Sequence, residues 1–439
     1  MQAIKVISET KQLISKGDQA LQKENYETAV AYYSQAIRLD AKANFAYFKR
    51  GQVYAIEGKY SEAITDFNSA ITLNPEFSFA YYKRALVYLE IKQHRMAIED
   101  FNRALMLNPD IKNAYTKRGY CYFVIKDYDN AIADLTKSLE LTPNAALTYF
   151  HRANSYFMQK KYDLAKADYD SAILFDSTDA RYYLSRAINY TNLDMNEEAL
   201  FDLDNAIRID PSVKLAYQYR ATINIKLNKY QSAINDIDRL ISLKLEDKRI
   251  YVSRAYCNFN LKNYDAAIED YTKALEYDPN DASILINRAN ACFNAGRIEE
   301  AILDYTRAIE LEPNYFTAYN SLGNCYSQLG NYREAIKSFS KAIVFSPKSY
   351  QAYVGRGLAF LRMKHIPKAL EDFTLALEIN PKVPQIYLNR AIAFRMQGRV
   401  EEAAKDFIDY LILVPEITKQ TNHIKTWLKR NGFPYEVAQ

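Results

Sequence analysis

The sequence matches itself when shifted by 34 residues. "AYYKRALVYLEIKQHRMAIEDFNRALMLNP" starts at Ala80, and "AYTKRGYCYFVIKDYDNAIADLTKSLELTP" starts at Ala114. The register holds without insertion or deletion from Thr10 to Ile417. That gives twelve repeats: 10–43, 44–77, 78–111, 112–145, 146–179, 180–213, 214–247, 248–281, 282–315, 316–349, 350–383 and 384–417. A short repeated unit cannot enclose a core alone, so such a chain must stack neighbour on neighbour.

With positions counted from 1 in each repeat, position 8 is Gly or Ala and position 20 is Ala in all twelve. Position 27 is Ala in nine, position 32 is Pro in nine and position 4 is Tyr in ten. Positions 4, 7, 8 and 11 share one helical face, and positions 20, 23, 24, 27 and 28 share another. Each repeat is therefore a helix A, a short turn and a helix B. Small residues at 8 and 20 let the two helices approach, and Pro at 32 stops helix B. The seventh repeat departs, with Leu240 at position 27 and Leu245 at position 32, so altered packing is expected near residues 240–250. The twelfth carries Tyr410 at position 27.

This pattern resembles the tetratricopeptide repeat (TPR). The resemblance implies an all-α fold, an α-solenoid of antiparallel helix pairs wound into a right-handed superhelix, with helix A lining the concave face. It also implies a protein-interaction scaffold in which positions 2, 5, 6, 9, 12 and 13 of helix A face the groove. Residues 1–9 extend the first helix. Residues 418–431 read as a capping helix with Thr418 as its N-cap, an apolar face of Ile424, Trp427 and Leu428, and Gly432 as its stop. Residues 432–439 are a tail.

Position 7 is Arg in ten repeats and position 23 is Asp in the same ten. The tenth repeat lacks both, with Leu322 and Ser338, and the first has Lys16 and Tyr32. Pairing between neighbouring repeats would orphan Asp304 and Arg356. Pairing within a repeat orphans none, which predicts structural ion pairs such as Arg84–Asp100, Arg118–Asp134 and Arg152–Asp168.

No motif of an acyl-transfer, metallopeptidase, P-loop or dinucleotide site occurs, so no catalytic residue, metal or cofactor is expected. Cys121, Cys257, Cys292 and Cys325 form no CxxC pair and read as small buried residues in a reducing, cytoplasmic setting. No apolar run is long enough to insert in a membrane.

The candidate ligand residues lie on helix A. Position 6 carries Lys49, Lys83, Lys117 and His151 in consecutive repeats, beside Phe48, Tyr82 and Phe150 at position 5 and Tyr120 and Asn154 at position 9. Later repeats are amide-rich, with Asn287, Asn290 and Asn324. The lysines would meet carboxylates and the aromatics would supply contact area, so the expected partner is an extended protein segment with acidic and apolar residues. The three-repeat clamp for chaperone C-termini has no match. The alternative is a reader of single-stranded nucleic acid, but residues 44–145 hold 13 Lys+Arg against 12 Asp+Glu. The chain's net charge of +4 is equally modest, which disfavours nucleic acid. A homodimer of this chain is compatible with the sequence.

Overall fold

The computed structural model describes residues 2–414 and 416–433. All regular structure among them is helical, in twenty-five helices. The chain forms two compact units, one up to Ile223 and one from Asn224. Each is an α-solenoid of helix pairs stacked in chain order. Helix A also touches the helix A of the next repeat, as Asn44–Ile56 does with Ser78–Glu90.

Helix A typically has 13 residues and helix B 14, as in Ser78–Glu90 and His94–Leu107. The turn between them passes through position 15 with a positive φ in every repeat. Glycine fills it at Gly58, Gly296, Gly330 and Gly398, but elsewhere Glu24, Lys92, Lys126, Lys160, Asp194, Asn228, Lys262 or Lys364 adopts it. A left-handed residue with a Cβ costs roughly 1–2 kcal/mol, so packing on either side holds these turns. Helix B stops at position 31, which in seven repeats is an Asp or Asn in an extended conformation. Its carboxylate or amide oxygen accepts from the backbone two residues on, as in Lys42 N to Asp40 Oδ1 at 2.9 Å. In the seventh repeat helix B (Tyr230–Ser242) is one residue shorter, and Lys244 goes left-handed where the others extend. The chain leaves that helix through Leu245 N to Leu240 O at 3.0 Å.

Position 24 fills the space that the small residues leave. Phe339 is fully enclosed, with Gly323 of its own repeat and Gly355 of the next against its ring. A Cβ would stand 2.7 Å from the ring at the first and 2.5 Å at the second. The last helix, Lys419–Arg430, starts with Thr418 accepting from Thr421 N at 3.1 Å. It buries Ile424 and Leu428, while Trp427 sets its edge against Phe407 at 5.1 Å. Tyr410 is buried there, its hydroxyl 3.5 Å from Gln420 Oε1.

The arginines of position 7 join helix A to helix B within a repeat. Arg84 Nε and Nη2 donate to the two Asp100 oxygens at 2.7 and 2.6 Å. Arg118 does the same to Asp134 at 2.6 Å, and Arg152 to Asp168 at 2.7 and 2.8 Å. The pattern recurs within each unit, at Arg50–Asp66 and Arg186–Asp202 in the first and at Arg254–Asp270, Arg288–Asp304, Arg356–Asp372 and Arg390–Asp406 in the second. In the seventh repeat Arg220 belongs to the first unit and Asp236 to the second.

A third hydrogen bond links repeats. Nη1 of each of these arginines reaches position 25 of the repeat before it. Arg118 donates to Asn102 at 2.6 Å, Arg152 to Thr136 at 3.0 Å, Arg186 to Asp170 at 2.6 Å and Arg356 to Ser340 at 3.0 Å. Arg84 reaches Asn68 in the same way. Tyr81 and Tyr88 flank the Arg84 guanidinium at 5.6 and 5.9 Å. The pairs are well desolvated: the Arg84 side chain is 18% exposed and that of Asp100 is 7%. Burial pushes the Asp100, Asp134, Asp202 and Asp372 carboxyls up from their ordinary range against the pull of the guanidinium.

Because desolvation is large here, losing one partner should hurt more than losing both. Asp100→Ala is expected to cost roughly 3–5 kcal/mol, since it leaves Arg84 half-buried and unmatched. Arg84→Leu with Asp100→Ser, the pair the tenth repeat uses, should cost clearly less. Thermal melts of both variants check this, and a single variant that melts with the wild type would show the charges to be solvated.

Candidate ligand-binding groove

Two clefts open along helix A residues of the first unit. One, of about 370 Å³, is lined by Gln52, Ile56, Lys83, Leu86 and Glu90 among others. The next, of about 500 Å³, is lined by Glu90, Lys117, Tyr120, His151 and Arg181, with His94 from the start of helix B of the third repeat. The two share Glu90. Their helix A residues fall at positions 2, 5, 6, 9, 12 and 13, together with position 10 at Val87.

Along this face a position-6 side chain meets position 9 of the preceding repeat. Lys49 Nζ stands 3.0 Å from Asp18 Oδ1, and the His151 ring lies 5.0 Å from that of Tyr120. Asp18 also accepts from the Tyr33 hydroxyl at 2.8 Å. Gln52 and Leu86 occupy the matching places for Lys83 and Lys117, so no carboxylate waits there. Neither lysine has an ion-pair partner among the described residues. Lys83 instead lies over the Tyr82 ring at 5.9 Å.

Two of the expected contact aromatics are not on the surface. Phe48 and Phe150 are 6% and 9% exposed. Phe48 packs on Phe67 and Phe77 at 6.0 and 4.7 Å, and Phe150 on Tyr169 and Tyr182 at 6.2 and 5.0 Å. A large ring at position 5 fills the gap between its own helix B and the next repeat, which removes it from the groove. Tyr82 is half-buried, 6.0 Å from Phe101. Asn154 and Asn290 are engaged at home, accepting from the hydroxyls of Tyr169 at 2.7 Å and Tyr305 at 2.5 Å. Asn287 is half-buried and Asn324 exposed, both in the second unit. The exposed aromatics that the sequence reading passed over are Phe45 and Phe79 at position 2, at 44% and 48%. Their recurrence in adjacent repeats was the available signal. Lys49 lies over Phe45 at 5.4 Å.

His151 is the most perturbed group of the groove. Burial, with the positive charges of Lys117 and Arg181, pushes its imidazole down to about 4. It is therefore neutral near pH 7. The thiols are inert: burial pushes Cys121 and Cys325 up to about 12, and Cys257 and Cys292 up to about 11. No group of three or more metal-ligating side chains gathers among the described residues. Nor, among those residues, is any helix long and apolar enough to cross a membrane.

Family models described as TPR repeat and tetratricopeptide repeat match residues 13–42, 51–92, 78–111, 113–145, 249–281, 270–302, 289–330, 316–349 and 354–416. The chain belongs to the tetratricopeptide-repeat family. Comparison with curated protein sequences finds no match. Among solved structures it is similar to YrrB, described as a TPR protein with an unusual peptide-binding site. That match is at 22% identity over 42% of this chain and 95% of that one, with a TM-score of 0.39. It is also similar to the Cut9–Hcn1 hetero-tetramer of APC/C, at 16% identity over 88% and 96% with a TM-score of 0.40. Yeast Tom70 matches at 18% identity over 96% and 95% with a TM-score of 0.38. At such scores these likenesses carry no argument about ligands.

The electrostatics give a direct expectation. The His151 ring should titrate near pH 4 by NMR, and Lys117→Ala should raise that midpoint by removing one positive neighbour. Because the unfolded imidazole takes up its proton first, near pH 6.5, His151 should favour unfolding as pH falls from there towards 4. A midpoint near the ordinary histidine value would show the ring to be solvated.

Proposed function

We propose that the chain is a non-catalytic protein-interaction scaffold, and that the groove of its first unit holds an extended protein segment with acidic and apolar residues. The family supports the scaffold role. The observation that carries the groove is the pair of clefts joined at Glu90, with Lys83 and Lys117 unpaired in them. The proposal moves the apolar anchors from Phe48 and Phe150 to exposed Phe45 and Phe79, with Tyr120 beside Lys117. Lys49 contributes little charge, since Asp18 already neutralises it. We take residues 10–417 as twelve modular repeats and 418–431 as their cap. A reducing, cytoplasmic setting suits four buried thiols.

The sharing of roles between charge and rings sets the magnitudes. An exposed charge pair contributes about 0.2–1 kcal/mol, so the rings should supply more of the affinity than the lysines do. Fluorescence anisotropy against a library of labelled acidic, aromatic-containing peptides is the test. Lys83→Glu with Lys117→Glu should weaken a bound peptide by about tenfold. Phe45→Ala with Phe79→Ala should weaken it at least as much, while Asn287→Ala and Asn324→Ala leave it unchanged. Binding insensitive to the charge reversal but lost in the asparagine variants would move the site to the second unit.

A further inference from the structure

The cleft beyond Glu90 gathers basic side chains from successive repeats. Lys117 of the fourth repeat and Arg181 of the sixth both act on the His151 ring of the fifth. Three basic groups from three successive repeats thus converge on about 500 Å³. Aromatic contacts fix the walls: Tyr120 lies against His151 at 5.0 Å, and His94 meets the edge of Tyr120 at 6.4 Å. His94 Nδ1 is enclosed with no hydrogen-bond partner, an unmet polar group at the same wall.

The opposing carboxylates are Glu90, which lines the cleft with Lys92, and Asp179, which pairs with Arg181. Asp179 holds Arg181 through Nε at 3.0 Å and Nη2 at 2.5 Å, which leaves Nη1 without a hydrogen bond among the described residues. Lys117 has no carboxylate at all within ion-pair distance among them. A carboxylate would bring one charge and two acceptor oxygens to these donors. A phosphate monoester brings nearly two charges and three oxygens, which suits donors drawn from three repeats.

Resting on the groove reading above, we propose that this cleft takes the phosphate of a phosphorylated serine or threonine side chain in the bound segment. Lys117 Nζ and Arg181 Nη1 donate to phosphate oxygens. His151 becomes a third donor by taking up a proton as the dianion enters, since the added negative charge offsets the two cations that, together with burial, hold the ring neutral. Half-exposed Leu147 and Val124 flank the side chain that carries the phosphate.

The probe is O-phospho-L-serine, titrated into the full chain while the ring signals of the four histidines are followed by NMR. Single His→Gln variants assign them. The proposal expects the His151 signals to move and their midpoint to rise, with serine itself giving no response. Lys117→Ala with Arg181→Ala, checked for an unchanged helical spectrum, should abolish the response. In a groove-binding peptide, one phosphoserine should tighten binding by about tenfold over the same peptide unphosphorylated. Equal affinity for the two peptides and an unmoved His151 would overturn the phosphate cleft and leave the groove reading standing. A His151 response to O-phospho-L-serine, with no peptide of either form binding the chain, would support the cleft and overturn the groove reading. A short RNA that outcompetes the phosphopeptide would overturn the assignment to a protein side chain.

Discussion

The guanidinium at position 7 makes three bonds that the stacked repeats rely on. Two go to the aspartate of its own helix B, and one goes back to helix B of the repeat before. A single rigid planar group thus fixes the angle within a helix pair and the distance to its neighbour. The geometry needs three donors held in one plane and aimed in different directions, which explains why lysine does not stand in for arginine in the ten repeats that use it. In the tenth repeat, which lacks the group, Leu322 is buried and Phe339 is enclosed between two glycines. Apolar packing there takes over what the ion pair does elsewhere.

That commitment shapes what the other face can do. With the arginines occupied, the charge left on helix A for a ligand comes mainly from positions 2 and 6. Whether a position-6 cation is free depends on position 9 one repeat earlier. Asp18 occupies Lys49, while Gln52 and Leu86 leave Lys83 and Lys117 open. Selectivity of such a groove is therefore written in pairs of positions across repeats, and a single change at position 9 can switch a lysine on or off.

The repeat, the helix pairs and the Arg–Asp partnership were legible because each is periodic, and because Leu322 and Ser338 drop out together. The third arginine bond was not. Position 25 varies among Ser, Asn, Thr and Asp, which in one sequence looks like ordinary polar surface. The left-handed turn was hidden wherever Lys92, Lys126 or Lys160 stands in place of glycine. Phe48 and Phe150 were misplaced because the burial of position 5 depends on the neighbouring repeat, which a helical period does not report. Arg181 was missed for a related reason: the cleft draws single residues from several repeats, and no one window of sequence contains it.

Native-state hydrogen exchange tests the inter-repeat role of the arginine most directly, because it reads each helix separately. In Arg118→Leu with Asp134→Ser, no charge is stranded, so the change in protection reports lost connections alone. The account predicts faster exchange in the repeat's own helix B, Tyr128–Leu141, and also in the preceding one, His94–Leu107, which holds Asn102. Faster exchange confined to the fourth repeat, with His94–Leu107 unchanged, would contradict it.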